Sequence, residues 1–330
     1  MMRKVLILTN KDDITVDFIV RELKKREISY YRLNTEDIPS SISIIFDINN
    51  ESYRLFDKVK NIEIDLLEFD AVYYRRPGIS NLNHINELNS TELYYLKSEL
   101  TFILEGIYKI LRNKYWLNNV YSIREAENKI YQLEIAKNIG FTIPNAIISN
   151  DEKAVNFMRE VHNNDLIIKP IKSGNMEYKN VKKAIFTTKI REEQFDDIDR
   201  ITSFPIFMES NIHKKLDLRC TVVGNDVFAA EIHSQISEDS KIDWRKGKKI
   251  LNHKEHNLPE NIKKMCIELT QKLNLNYSAI DMVLDENNNY IFLEINPNGQ
   301  WAWIENRLQF PISKRIVDLL MEGEVKCLQD

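Results

Sequence analysis

The sequence predicts an α/β protein, and three features of the chain carry that expectation. Over residues 1 to about 118, short apolar runs alternate with amphipathic helical stretches, an order that builds a layered, mostly parallel sheet. Further on, Leu216 to Val223 and Val227 to Ser234 are alternating runs joined by Gly224-Asn225, a turn pair that signals a hairpin. A second hairpin, Ala279 to Val283 and Tyr290 to Ile295 about an Asp285 to Asn289 turn, sets carboxylates among bulky apolar neighbours.

In chain order, Val5 to Leu8 reads as a strand, Ile14 to Lys25 as a helix, and Tyr30 to Leu33 as the next strand. Ser41 to Phe46 and Tyr53 to Phe56 read as an antiparallel pair through Asn49-Asn50, and Ala71 to Arg75 as a further strand. Leu93, Leu96, Leu100, Phe102, Ile103 and Ile107 recur at helical spacing between Ser90 and Leu111. Arg124 to Ile139 is expected as one helix closed by Gly140, before strand Ala146 to Ile148. A short helix from Ala154 to Val161 leads to strand Asp165 to Lys169, stopped by Pro170. Strand Ile206 to Glu209, helix Glu260 to Leu273 and a closing helix Ile312 to Met321 complete the pattern. Domains are expected at 1–118, 119–205 and 206–330.

Composition excludes several classes. A net charge of −4 leaves no basic footprint for nucleic acid. The longest apolar run is far short of a membrane span, and Val5 to Leu8 is too short for a signal peptide, so a cytoplasmic protein is expected. Cys220, Cys266 and Cys327 are scattered and lack ligand spacing, which suits reduced thiols.

The acidic hairpin is the richest signal. On a pleated strand, residues two apart share a face, so Glu294 and Asn296 point the same way, beside Asp281 on the partner strand. Two carboxylates and an amide oxygen are hard ligands suited to Mg²⁺ on nucleotide phosphates. The bland alternative is a strand face turned to water. Against it stand the apolar neighbours and the Pro297-Asn298-Gly299 turn that ends the strand.

Lys169 follows Leu166-Ile167-Ile168, so a buried setting is expected, and a buried lysine needs an anion. Lys129 opens a helix, where most lysines are solvated surface charges. Lys172-Ser173-Gly174 could let backbone amides approach phosphates as a lid. Arg75 and Arg76 end a strand of the first domain, where α/β proteins place ligands; either arginine could hold a substrate carboxylate or cap a loop.

These motifs, taken in order, resemble those of ATP-grasp ligases: Lys129, Lys169, Glu209, Asp217-x-Arg219, Asp281, and Glu294-x-Asn296. The resemblance implies an ATP-grasp fold with an N-terminal pre-ATP-grasp domain, and ATP and Mg²⁺ as cofactors. It implies Lys129 and Lys169 on the nucleotide, and the backbone of Glu209, Ser210, Asn211 and Ile212 on adenine. Asp217 would accept from a ribose hydroxyl. Asp281, Glu294 and Asn296 would hold metal. Arg219, Lys172 and Arg245 are the expected catalytic positions, and Arg75, Arg76 and Asn298 the expected substrate contacts.

Tyr73 to Pro77 and the tail Glu294 to Glu305 are similar to graspetide maturases, which include the microviridin-type ligases and the makers of ω-ester peptides such as plesiocin and thuringinin. That branch implies a ribosomally made precursor peptide, leader plus core, as partner. Its Asp or Glu side chains would be activated as acyl-phosphates and joined to Thr or Ser hydroxyls, or Lys amines. A homodimer is expected, and leader docking between Asn175 and Asp196, near Lys182, Lys183 and Glu192-Glu193. Two alternatives stay open: a ligase adding an amino acid to a small molecule or protein tail, and a non-catalytic peptide-binding module.

Overall fold

The computed structural model describes residues 3–80, 82, 88–172, 174–178, 181–247 and 251–324. The chain divides into two compact units, one of 1–123, 274–277 and 300–330, the other of 124–273 and 278–299.

The first unit begins with β1 (Val5–Thr9), α1 (Thr15–Lys25) and β2 (Tyr30–Asn34). Then come β3 (Ile42–Asp47), β4 (Ser52–Asp57), β5 (Ile62–Asp65), β6 (Ala71–Tyr74), α2 (Ser90–Ile110), β7 (Tyr115–Trp116) and α3 (Val120–Ala126). A parallel sheet runs in the order β2-β1-β6-β7. Val5, Leu6, Ile7 and Leu8 are all fully buried, as a parallel strand covered on both faces must be. Val16, Ile19 and Leu23, spaced to one face of α1, are buried in turn. Strands β3, β4 and β5 form a separate antiparallel sheet; β5 has no counterpart in the sequence reading. Its short Ile62-Glu63-Ile64-Asp65 segment buries only Ile64 and reads as loop without a partner strand. Asn89 starts α2 with a reciprocal capping box to Glu92.

The second unit starts with α4 (Lys129–Ile139), β8 (Ala146–Ser149), α5 (Glu152–Val161) and β9 (Leu166–Lys169). The hairpin β10 (Asn175–Tyr178) and β11 (Val181–Ala184) precedes β12 (Thr188–Lys189), α6 (Ile198–Thr202) and β13 (Ile206–Ser210). Next are β14 (Lys214–Val223), β15 (Asp226–Ile232), β16 (His253–Glu255), α7 (Glu260–Lys272), β17 (Tyr277–Asp285) and β18 (Tyr290–Asn296). Helices α8 (Ala302–Leu308) and α9 (Ile312–Glu322) close the chain within the first unit. Among the described residues the second unit holds two larger sheets, ordered β12-β9-β13-β8 and β16-β15-β14-β17-β18, and the two-stranded β10-β11 sheet. Val155, Met158, Leu166, Phe195 and Met208 fill the core behind the first of them.

The single helix expected from Arg124 to Ile139 is two helices. The Asn128 side chain accepts from the amides of Ile130 and Tyr131, so α4 starts afresh at Lys129. Gly140 closes α4 at φ 107, in the left-handed region where glycine carries no steric penalty.

Candidate active site

Strands β17 and β18 pair antiparallel, with Asp281 directly opposite Glu294 and Ala279 opposite Asn296. Period-two geometry therefore puts the two carboxylates and the amide on one face. The register shifts just after Asp281, so Met282 faces Phe292 and Leu293 is the extra residue of a bulge. At the end of β18, Asn296 Oδ1 accepts from the Asn298 amide at 2.9 Å and its carbonyl accepts from the Gly299 amide at 3.2 Å. A Cβ on Gly299 would collide with the Cβ of Ala279, so only glycine fits this turn against β17.

Four candidate cations of the site, Arg219, Lys129, Lys169 and Arg245, each have a carboxylate of their own. Arg219 forks onto Asp281, Nε to Oδ1 at 2.6 Å and a second guanidinium nitrogen to Oδ2 at 3.2 Å. Lys129 Nζ lies 3.3 Å from Glu294 Oε2 and donates to the Pro170 carbonyl at 3.0 Å. Lys169 Nζ lies 2.5 Å from Oε2 of the fully buried Glu209. Arg245 forks onto Asp243 at 2.9 and 2.8 Å.

The electrostatics follow from this layout. Burial pushes the Asp281 carboxyl well up, and Glu294 across the ladder adds to the rise against the pull of Arg219. Burial works in the same sense on Glu294, but Lys129, Arg245 and Lys169 outweigh it and hold that carboxyl below its usual range. Asp243 also stays low despite burial, because Arg245 hydrogen-bonds it. Asp281, Glu294 and the Asn296 oxygen are hard donors, and like charges in direct register are what a divalent cation relieves; the residues fit magnesium.

The nucleotide expectations fare unevenly. Ser210 and Asn211 have engaged backbone amides, donating to the carbonyls of Asn145 and Asp165, each at 2.9 Å. Among the described residues the Ile212 amide has no such partner, so of these three amides it is the one open to a base. Asp217 is engaged within the protein on both oxygens. It is 5% exposed, with Oδ1 taken by Lys214 at 2.7 Å and Oδ2 by Ser234 at 2.5 Å. Burial raises its pKa despite both partners. Asp217 thus ties β14 to the loop after β15, with each carboxylate oxygen already accepting one hydrogen bond.

Arg75 and Arg76 take opposite fates. Arg75 is buried, its Nε donating to Asp13 at 3.0 Å, while Arg76 is exposed at φ 47 with its carbonyl held by Asn10. A buried ion pair with its own carboxylate corrects the expectation that Arg75 meets substrate. Lys172 is exposed just beyond β9. Ser173 and the side chains of Asn175, Met176, Lys182 and Lys183 lie outside the described part, along with Lys248 and Lys249.

Three contributors escaped the sequence reading. Asp243 had a signal, since Asp243-x-Arg245 repeats the spacing of Asp217-x-Arg219. Lys214 and Gln132 had none, because lysine at a strand end and glutamine on a helix are ordinarily solvated.

Residues 126–320 match the model of the RimK-like ATP-grasp domain, and residues 4–124 that of the MvdD pre-ATP-grasp domain. The chain belongs to the RimK-like ATP-grasp family and is an ATP-grasp ligase. Its fold is similar to a RiPP-associated ATP-grasp ligase of Chryseobacterium gregarium, solved with ADP and a leader and core peptide. The two are 29% identical with a TM-score of 0.86, over 97% of this chain and 96% of that one. It is also similar to macrocyclase MdnC of Microcystis aeruginosa MRC, bound with precursor peptide MdnA, at 26% identity and TM-score 0.84, over 97% and 100% of the chains. Macrocyclase MdnB of the same organism follows at 25% and 0.80, again over 97% and 100%. No curated protein matches. Among the described residues, no helix is long and apolar enough to cross a membrane.

Proposed function

We propose that this protein is a peptide macrocyclase that uses ATP and Mg²⁺ to join Asp or Glu side chains of a ribosomal precursor peptide to Thr or Ser hydroxyls, or to Lys amines. The observation that carries the reading is the Asp281–Glu294 register, with Arg219 on one carboxylate and Lys129 on the other. Similarity to ligases solved with leader, core or precursor peptides supports a peptide partner.

Magnesium held by Asp281, Glu294 and Asn296 would neutralise phosphate charge as the γ-phosphoryl group transfers. With those carboxylates neutralised, Arg219 and Lys129 are left to meet phosphate oxygens, and Lys169 adds a third positive charge. A peptide carboxylate oxygen attacks the γ-phosphorus, the bond to ADP breaks, and an acyl-phosphate forms. The hydroxyl or amine then attacks the acyl carbon, phosphate leaves, and the nucleophile loses its proton. Arg219, with its planar fork, suits the transferring group; Arg245 and Lys172 suit the acceptor carboxylate and its phosphate. The Ile212 amide, with the strand from Glu209, reads adenine, and Asn298 contacts the peptide. Arg76 remains a candidate for a substrate carboxylate in the first unit. The protein works as a cytoplasmic homodimer, with the leader docked between Asn175 and Asp196.

The test is co-expression with a short Thr- and Glu-rich precursor, followed by mass spectrometry. One water lost per ring is expected, reversed by mild base for esters and retained for amides. An unmodified precursor in the presence of bound Mg·ATP overturns the peptide substrate.

A further inference from the structure

Gln132 is 3% exposed and its carboxamide is fully engaged. Its Nε2 donates to the Ile295 carbonyl at 2.8 Å and to the Ala126 carbonyl at 2.5 Å, while its Oε1 accepts from the Ile295 amide at 3.2 Å. Ile295 stands between Glu294 and Asn296 on β18, the last strand of its sheet. The outer edge of such a strand presents an unpaired N–H and C=O, which must find partners when buried. Gln132 supplies both from one side chain, in place of a neighbouring strand.

We propose that Gln132 is a positioning residue, which holds Lys129 of α4 in register with Glu294 of β18 by pairing with the main chain of Ile295. Lys129 and Gln132 are three apart on one helix and so lie on the same face. The glutamine anchors that face to the peptide unit beside Glu294, and the lysine reaches Glu294 at 3.3 Å. A second tie lies beyond the far end of α4, where the Phe292 amide donates to the Thr142 carbonyl at 2.8 Å. Loss of Gln132 therefore leaves α4 attached yet free to shift at its N-terminal turn, where Lys129 sits. A carboxamide offers donor and acceptor together in a neutral group at any ordinary pH; lysine or ionised glutamate at 132 would leave one Ile295 group unpaired, and leucine would leave both.

This inference rests on the proposed Mg·ATP site, so the experiment separates the two. Mg·ATP binding is measured by calorimetry, and folding by thermal melting, on wild type, Gln132→Met, Lys129→Met, the double variant and Gln132→Glu. Wild type is expected to bind, and Gln132→Met to melt cooperatively yet bind roughly ten- to a hundredfold more weakly, the cost typical of losing a group that orients a ligand. The double variant should bind no more weakly than Lys129→Met alone, because the glutamine acts through the lysine. A protonated glutamic acid copies the donor and acceptor of the amide. Burial at this 3% exposed position raises a carboxyl above its ordinary value of ~4.3, so Gln132→Glu should regain affinity relative to wild type as pH falls from about 8 to about 5.5. That comparison is internal to one folded variant and stands even if Gln132→Met fails to fold. Absence of Mg·ATP binding by wild type overturns the nucleotide site itself. Binding by wild type together with additive losses, or a flat pH response of Gln132→Glu, overturns the positioning role alone.

Discussion

Asp281 and Glu294 are direct cross-strand partners, a placement in which two like charges repel and a shared cation is the natural remedy. The fold spreads the burden unequally. Arg219 neutralises Asp281 from β14, on the inner side of the sheet, while Lys129 meets Glu294 from the helix that covers its outer edge. Both carboxylates are thus held ready, with cations that can turn to phosphate.

Glu294→Gln and Asn296→Ala should melt close to wild type but lose magnesium-dependent ATP turnover. Each removes one hard oxygen donor without opening a core cavity. Wild-type rates for either variant at limiting magnesium would remove the metal assignment.

Arg219→Lys is expected to keep ATP affinity within a few-fold and lose most of kcat. A single ammonium cannot reproduce the two-pronged geometry seen on Asp281. A raised KM for ATP with kcat untouched would show that the guanidinium makes only a ground-state contact.

Glu209→Gln leaves Lys169, 10% exposed, without its counter-ion beside a fully buried position. Stability should fall by about 3 kcal/mol, in the range for breaking a buried pair from one side. Adding Lys169→Met should restore much of it while activity stays lost, read by denaturant melts and turnover on the same samples. Persistent instability of the double variant would mean that Glu209 matters for packing and not for charge.

Asp57 gives a pH dependence. Burial pushes its carboxyl up, but bonds from Lys60, including its backbone amide, and from Tyr31 prevail and hold the pKa down to about 2. The folded state therefore releases this proton more readily than the unfolded chain, whose aspartates titrate near ~3.9. The stabilisation is complete above about pH 4 and is lost as pH falls through about 2. The melting-temperature gap between wild type and Asp57→Asn should narrow over that window. A gap that stays constant down to pH 2 would contradict the assignment.

Much of this protein is written locally, in side-chain alternation and turn chemistry. The buried run Val5 to Leu8, the Gly224-Asn225 turn, and the period-two spacing of Glu294 and Asn296 report on neighbours a few residues away, and short-range sterics decide them. The acidic hairpin and the order of the lysines and arginines were legible for that reason, and so was the α/β class. The break at Asn128 was legible in principle, because asparagine is a favoured helix cap, but continuous apolar spacing masked it. Other features depended on which distant segments meet. That Asp217 turns to Lys214 and Ser234, that Arg75 is buried against Asp13, and that Gln132 closes the edge of β18 are contacts across seventeen to one hundred and sixty-three residues, the Lys214 pair apart. A polar side chain has no sequence-local signature of whether it will face water, ligand or another backbone. The sequence determined the elements and the chemical inventory of the site; tertiary packing decided which polar groups are consumed in holding it and which remain open, because hydrogen bonds and charges are satisfied by whatever the fold brings near.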